Sequence, residues 1–514
     1  DGVHFSIPAA AQASEVWVVA QMDGMIAYER THYHTERPIA FSSWVTLDPL
    51  THPSEPFGET EDGQSLDLNR VIMTDAPAGQ FISYHAYPYY PNFINNDEKY
   101  KDKTDDMGAN PYMAYIEELQ SWYTHYPLLI AEFGVPTSYG TAQFSSSGMY
   151  HGGMTEEQQG QYMVRMMHNM YDTNCAGGVA FSWMDEWFKI TWITNPMTEG
   201  ERRPLWYNIS APENNFGLLQ FNPNPQYFNT SQTNHFAEGH ISTTTVSHDF
   251  LSLNLEATLN SPLTTGDTLW IAFDTYNRNL GESTLPNGKK LMTSARAEFL
   301  LRVTPDSANL YVMQDYDLFG LVFQNSRTPA FKSVLSDGNP WMPVRWQNDE
   351  FGTIHHIGRL HLHTGNNTPG QDAAVHLRNN GITVRMPWTL LQFSDPSRSQ
   401  VINDAVSADI CLNVIRCGKD YYLKTSRTDG IAITLVCDNT AVATTPYTWS
   451  DWEVVSALLK DKGLDHPENL NFPYDASPGY QETTRLNPDM FIEEAKASLS
   501  ILSSDFKSFP FTPK

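Results

Sequence analysis

The 514-residue sequence has few cysteines, few cations and no long apolar run. Its cysteines are Cys175, Cys411, Cys417 and Cys437. They are too few and too unevenly spaced for a disulfide scaffold or a CxxC metal site, although one bridge among the last three is open. No stretch approaches the roughly 18 uninterrupted apolar residues of a membrane-spanning helix, so we expect no transmembrane segment.

Positive charge is scarce relative to negative charge. The chain has 32 Lys and Arg against 59 Asp and Glu, a formal charge of -27. Such an exterior repels phosphate backbones and anionic lipid, so we expect no nucleic-acid partner. Aromatic residues, in contrast, make up 12% of the chain. Flat amphipathic rings suit the faces of sugars, but Tyr and Trp fill protein cores equally well.

The length exceeds what one hydrophobic core supports, so we expect two or three domains. Residues 12 to about 195 alternate helical segments with short apolar runs, which is typical of β/α units around a parallel sheet. We predict four units. Their strands are 37–44, 80–90, 127–135 and 176–183, and the main helices are 14–34, 111–126 and 155–175. The last helix begins with a capping box, Thr155 with Gln158. The first has a predicted inner stripe of Val16, Val19, Ala20, Asp23, Ile26 and Ala27.

Beyond about residue 235 the pattern changes to short β runs separated by turn signals, which favours an antiparallel sandwich or jelly roll. The predicted fold class is therefore α/β plus all-β, with domains at 1–235, 236–445 and 446–514. The last segment should hold one helix near 489–499 and pack on the other domains. The sandwich has aromatic residues that suit either a carbohydrate-binding face or structural bracing: Trp270, Tyr276, Trp341, Trp346 and Trp388.

The candidate site follows from a rule of parallel β/α folds, in which functional groups lie where the strands end. The rule selects Trp44, Asp48, His85, Tyr87, Glu132, Trp183, Asp185 and Glu186. Together these side chains supply carboxylates, an imidazole, a phenol and indoles.

Glu132 is the most informative of these residues. It follows the apolar run PLLIA, so its carboxylate would lie in a dry environment. There the carboxylate would stay ionised only if neighbouring hydrogen-bond donors supported its charge. His85 and Tyr87 share one face of the preceding strand by alternation, so either can donate to it. The alternatives are a structural ion pair between Glu132 and an Arg, and a satisfied core His.

Three of the strand ends, YHAYPYYP, PLLIAEFGVPTS and GGVAFSWMDEWFK, resemble the sixth, seventh and eighth strands of the glycoside hydrolase clan A barrels of families 2 and 5. The segments RPIAFSSWVTLDPLTHPSEP, GGMTEEQQGQ and NNFGLLQFNP resemble bacterial family-2-type barrels. The resemblance covers residues 12 to 222. The sandwich strands GDTLWIAFDTYN and GITVRMPWTLLQFSDPS are weakly similar to family 9 carbohydrate-binding modules.

The resemblance implies a (β/α)8 barrel and a glycosidase that acts on a β-linked glycan with retention. Glu132 would be the nucleophile, oriented by His85 and Tyr87. Trp183 would be the sugar platform and Trp44 a second aromatic wall, with Asp185 or Glu186 binding hydroxyls. Asp48 joins this substrate-binding set by its place after a strand. The implied partner is an oligo- or polysaccharide, the implied location is secreted or cell-surface, and no metal or organic cofactor is expected.

One departure from the family concerns the acid/base. In clan A this residue is a Glu after Asn at the end of the fourth strand, and no Asn-Glu pair precedes the first helix here. The four strands match strands five to eight. We therefore expect a fragment of a longer barrel, a barrel completed by a second chain, or a local second carboxylate such as Asp185 or Glu186. An inactive carbohydrate-binding or surface scaffold protein and a transglycosylase are the alternative functions.

Overall fold

The computed structural model describes residues 2–55, 64–189, 191, 194, 198, 205–291, 296–316, 335–336, 341–348, 353–402, 425–438, 440–452 and 488–508. Cys411, Cys417 and the side chain of Trp346 lie outside this description. Cys175 and Cys437 are free thiols.

The first part of the chain forms an α/β unit. Its elements are β1 (Phe5–Ser6), α1 (Ala13–Tyr33), β2 (Ser42–Trp44), β3 (Ile72–Met73), β4 (Ile82–His85), α2 (Phe93–Asn96), α3 (Glu98–Lys101), β5 (Thr104–Asp105), β6 (Gly108–Ala109), α4 (Pro111–Trp122), β7 (Leu128–Phe133), β8 (Thr141–Gln143), β9 (His151–Gly152), α5 (Glu156–Asp172), β10 (Gly177–Ala180) and β11 (Leu219–Pro223).

The central sheet of this unit has the strand order β10-β7-β4-β2, and all its pairings are parallel. These are the four strands predicted from the sequence, each shorter than expected because the predicted ranges included loop residues. Among the described residues the sheet is open, with β2 and β10 as its edges. Parallel strands require crossover connections, and α4 and α5 are two of them.

The helices cover the sheet with apolar side chains. The capping box predicted for α5 is present, with the Thr155 hydroxyl accepting from the backbone N–H of Gln158. The inner stripe predicted for α1 is partly wrong. Val19 and Ile26 are buried, but Val16 is 47% exposed. The outer face of α1 is also apolar, so the sequence pattern did not specify which face turns inward.

The second part of the chain forms a two-sheet unit. Its strands are β12 (Ser231–His235), β13 (Ile241–His248), β14 (Ser252–Leu259), β15 (Leu269–Asp274), β16 (Gly281–Glu282), β17 (Phe299–Thr304), β18 (Ser307–Met313), β19 (Leu335–Ser336), β20 (Trp341–Pro343), β21 (Trp346–Asn348), β22 (Thr353–His355), β23 (Arg359–Leu360), β24 (Leu362–Thr364), β25 (Val375–Arg378), β26 (Gly381–Pro387), β27 (Phe393–Asp395), β28 (Gln400–Ile402), β29 (Thr425–Arg427), β30 (Ala432–Cys437) and β31 (Thr440–Ala443).

Two large sheets dominate this unit. One has the order β12-β13-β14-β26-β25-β24, and the other has β20-β18-β17-β15-β30-β31 with β23 beside β18. Apolar residues of both sheets, such as Leu255, Val384 and Ile271, belong to one buried cluster. The pairings are antiparallel except for β24 with β25 in the first sheet.

The aromatic residues considered for a carbohydrate-binding face are largely enclosed. Trp388 is 1% and Trp270 8% exposed. The Trp388 indole N–H donates to the Asp249 carbonyl at 2.9 Å, and Tyr276 stacks on Tyr316. These contacts support the bracing role.

The chain then returns to the α/β unit through β32 (Phe491–Ala495) and α6 (Ala497–Ser508). Strand β32 pairs antiparallel with β11, and α6 lies on α5. A Cβ at Gly160 of α5 would lie 2.9 Å from the Ser498 Cα, so glycine permits this close approach. The prediction of a helix near 489–499 is wrong, because the segment FIEEA forms β32 and the helix begins only at Ala497. No helix in the described part of the chain combines the length and apolarity needed to cross a bilayer.

Candidate active site

Three predicted site residues lie side by side where three parallel strands end. In the β2–β4 pairing Trp44 is opposite His85, and in the β4–β7 pairing His85 is opposite Glu132. The β4–β7 register shifts between Tyr84 and His85, which brings Glu132 rather than Ala131 opposite His85. This irregularity aligns an indole, an imidazole and a carboxylate at one edge of the sheet.

The Glu132 carboxylate has two contacts, both through Oε2. The Tyr87 hydroxyl donates a hydrogen bond to Oε2 at 2.8 Å, and the His85 Nδ1 lies 3.1 Å from the same oxygen. Burial and the neighbouring Glu132 charge raise the pKa of Tyr87 far above its ordinary range, so the phenol stays protonated and acts as a donor. Within the described residues Oε1 accepts no hydrogen bond. Glu132 and His85 are both partly exposed, so a ligand can reach the carboxylate.

Two tryptophans at the carboxyl ends of the strands of this sheet are exposed. Trp44 is 45% exposed, and its ring centroid lies 5.6 Å from that of His85. Trp183, three residues after the end of β10, is 60% exposed. An exposed indole offers a flat apolar surface that suits the face of a sugar ring.

Two glycines allow the chain to pack closely around this edge. A Cβ at Gly134 would lie 2.3 Å from the Phe181 carbonyl oxygen. A Cβ at Gly217 would lie 2.0 Å from the Asp185 backbone nitrogen. The backbone N–H of Leu219 donates to the Trp183 carbonyl at 3.0 Å. These contacts fix the loop that presents Trp183.

Asp48 is buried and its carboxylate is already engaged. One oxygen accepts from the Tyr115 hydroxyl at 2.6 Å, and the other lies 3.1 Å from His52 Nε2 and accepts from the Leu50 N–H. The His52 Nδ1 in turn faces Asp97 at 3.4 Å. This network orders the loop after β2 and places Asp48 away from solvent.

Asp185 is also buried, in an ion pair with the C-terminal segment. Its Oδ1 lies 2.7 Å from the Lys496 ammonium and accepts from the Gly217 N–H at 2.8 Å. Burial raises the pKa of Asp185 to about 6, although Lys496 acts in the opposite direction. A raised pKa is typical of a proton donor. The pair of Asp185 and Lys496 is enclosed on all sides, however, and this burial favours a structural role for Asp185.

Glu186 leads to a charged cluster that sequence reasoning missed. Lys189 lies 2.9 Å from Glu186 and 3.7 Å from Glu213, and Glu213 contacts the His151 Nε2 at 2.8 Å. The His151 ring stacks on Tyr89 at 4.6 Å.

Glu213 lies on the loop just before NNFGLLQFNP, and that adjacency was the one signal available for it. Burial favours a higher pKa for Glu213, but the contacts with His151 and Lys189 outweigh it and lower the pKa. This carboxylate therefore stays ionised, which does not suit a proton donor.

In comparisons with known proteins, neither a protein-family model nor a curated protein sequence matches this chain. The likeness to clan A therefore remains a prediction from motifs.

The geometry supplies one partly exposed carboxylate with supporting groups. Glu132 offers a partly exposed carboxylate. Tyr87 and His85 hold its Oε2, which leaves Oε1 for a ligand. Of the other predicted carboxylates, Asp48 and Asp185 are enclosed and Glu186 is paired with Lys189. The chemistry that this arrangement can perform is nucleophilic attack by a carboxylate beside aromatic walls.

Proposed function

We propose that this chain is the catalytic part of a retaining glycoside hydrolase of clan A type that acts on a β-linked glycan, with Glu132 as the nucleophile. The observation that carries the proposal is the pair of contacts on Glu132 Oε2, from Tyr87 and His85. They leave Oε1 to attack, and exposed Trp44 and Trp183 lie at or just beyond the ends of β2 and β10 in the same sheet. The same proposal includes a location at the cell surface or outside the cell, where a polysaccharide substrate would be met.

The proposed reaction proceeds in two steps. Oε1 of Glu132 bonds to the anomeric carbon while the bond to the leaving oxygen breaks, and that oxygen takes a proton from an acid/base. Water then attacks the same carbon, gives its proton to the acid/base and releases Glu132. The hydrogen bond that Tyr87 donates to Oε2 fixes the orientation of the carboxylate, so that Oε1 faces the anomeric carbon.

We further propose that the acid/base comes from β/α units that pair with the edges of the four-stranded sheet, supplied by another segment or a second chain. Parallel sheets are normally built from an unbroken series of β/α units, whose helices cover both faces of the sheet. The edge strands β2 and β10 have no further strand partner among the described residues.

The nucleophile can be tested independently of the acid/base. A fluoro-glycoside with a dinitrophenolate leaving group needs no protonation, and its fluorine slows the second step. We expect the protein to gain the mass of one fluorosugar, with the label on the peptide that contains Glu132. A label on another residue, or none with a panel of β-configured sugars, would reject the proposal.

Tyr87→Phe tests the hydrogen bond that supports the nucleophile. Without this hydrogen bond the carboxylate can rotate away from the anomeric carbon, and a misplaced nucleophile costs up to about 100-fold, so we expect kcat for an activated aryl β-glycoside to fall about 10- to 100-fold. The matched control is Tyr100→Phe, whose hydroxyl donates to Glu118 at 2.6 Å. Equal activity losses in both variants would show a general structural effect.

A second candidate is a carbohydrate-binding protein without turnover. It is favoured by the contacts of Asp48, Asp185 and Glu186, because none of these three described carboxylates is free to act with Glu132. The labelling experiment distinguishes the two candidates, and an added acceptor extends it to a transglycosylase. Retention in a polysaccharide affinity gel without covalent labelling would favour binding, whereas labelling followed by sugar transfer to an added acceptor would identify a transglycosylase.

A further inference from the structure

Two turns meet at one end of the two-sheet unit. His240 lies in the turn between β12 and β13, and Cys437 and Asp438 lie where β30 turns into β31. A Cβ at Gly239 would lie 3.4 Å from the Thr440 Cβ, so the turns touch. The first turn belongs to the six-stranded sheet and the second to the other large sheet.

Three ligand types converge at this contact. The imidazole of His240, the thiol of Cys437 and the carboxylate of Asp438 each offer an atom, and these atoms all lie within 4.8 Å of one another. Ligand atoms around a tetrahedral zinc ion lie about 3.3–3.8 Å apart, given bonds of about 2.0–2.3 Å. Small side-chain rotations would therefore bring the three onto one ion.

The His240 ring is already oriented for such a role. Its Nδ1 lies 3.2 Å from the Ser261 hydroxyl, and its Nε2 is buried with no hydrogen-bond partner among the described residues. The Asn260 N–H donates to the His240 carbonyl at 2.8 Å and the Asn260 amide to the Gly239 carbonyl at 2.8 Å. When Nδ1 donates to Ser261, Nε2 presents a lone pair. A hydrogen bond to the other ring nitrogen is the usual support for a histidine that binds metal.

We propose that His240, Cys437 and Asp438 bind a divalent transition metal of the zinc class, which fastens the two sheets together. Sulfur and imidazole ligands favour zinc over calcium or magnesium, which prefer oxygen. Zinc binds cysteine as the thiolate, so metal binding releases the Cys437 thiol proton to solvent. Water would complete the coordination.

The test uses the full chain after dialysis against a chelator, with Co²⁺ as the probe. We expect one equivalent of Co²⁺ to produce the sulfur-to-cobalt charge-transfer band and the visible bands of a tetrahedral site. Cys437→Ser should remove the charge-transfer band, and Cys175→Ser should keep it. No band in the wild-type chain, or a band that persists in Cys437→Ser, would overturn the proposal.

A second readout covers the case in which Cys437→Ser does not fold. Zn²⁺ alone should raise the thermal unfolding midpoint of the wild-type chain, and His240→Gln should abolish this shift. Ser261→Ala should weaken Zn²⁺ binding about tenfold through loss of the ring's support. Equal Zn²⁺ shifts in the wild type and His240→Gln would contradict the site.

Discussion

Glu132→Gln should lower kcat for an activated aryl β-glycoside by about three orders of magnitude or more, equivalent to about 4 kcal/mol. The amide is nearly isosteric with the carboxylate and accepts the Tyr87 hydrogen bond, but it cannot form the glycosyl ester. Glu118→Gln is the matched control, because Glu118 also accepts from a tyrosine, Tyr100. That variant should keep wild-type activity.

Glu132→Ala distinguishes a nucleophile from a binding residue. Removing the carboxylate leaves room for azide, which can attack the anomeric carbon of a substrate whose leaving group needs no proton. We expect azide to restore turnover and to yield a glycosyl azide of inverted configuration. Full activity in Glu132→Gln would exclude Glu132 from the reaction, and a retained configuration with azide would assign the attack to another group.

Lys496→Met should lower the free energy of unfolding of the α/β unit by about 3–5 kcal/mol. The Lys496 ammonium donates to Asp185, to the Thr137 hydroxyl at 2.9 Å and to the Asn215 carbonyl at 3.2 Å, all of them buried. Without it, Asp185 is left as a buried anion with no cation. Urea unfolding followed by tryptophan fluorescence measures the loss, and Lys101→Met, at an exposed ion pair with Glu98, should leave the midpoint unchanged.

The size of this loss should depend on pH. The pKa of Asp185 is about 6 in the folded protein and 3.8 ordinarily, so ionisation of Asp185 opposes folding as the pH rises through this window. Without Lys496 the ionisation of Asp185 opposes folding up to a higher pH. The deficit of Lys496→Met should therefore be small near about pH 5 and large near about pH 8. Adding Asp185→Leu to Lys496→Met should recover much of the stability, and an unchanged deficit would contradict the ion-pair explanation.

The surroundings of Glu132 could be predicted from the sequence because they depend on local patterns. Each strand is a short apolar run, and residues that end neighbouring parallel strands must lie near one another. This placed Trp44, His85 and Glu132 together, and alternation brought Tyr87 to the same carboxylate. The register shift beside Tyr84 follows no local pattern and was not predicted.

The other carboxylates depend on partners that lie far away in the chain. Asp185 resembles a cleft residue in sequence, but its cation is 311 positions later. Asp48 likewise is closed off by Tyr115, 67 positions later. Strand β32 was predicted as a helix. Its partner β11 lies before the entire two-sheet unit in the chain, so no local pattern indicates the pairing. Such tertiary contacts override what a short segment indicates by itself.

The return of the chain to the α/β unit also sets an order of events on the ribosome. At about 5–20 residues per second, Lys496 emerges about 15–60 s after Asp185. All the described strands of the two-sheet unit leave the ribosome during this interval, so that unit can fold first. The α/β unit acquires its buried cation, its last strand and α6 only afterwards. We therefore expect the nascent chain to hold a folded C-terminal body beside an unfinished N-terminal one, and chaperones to bind the latter.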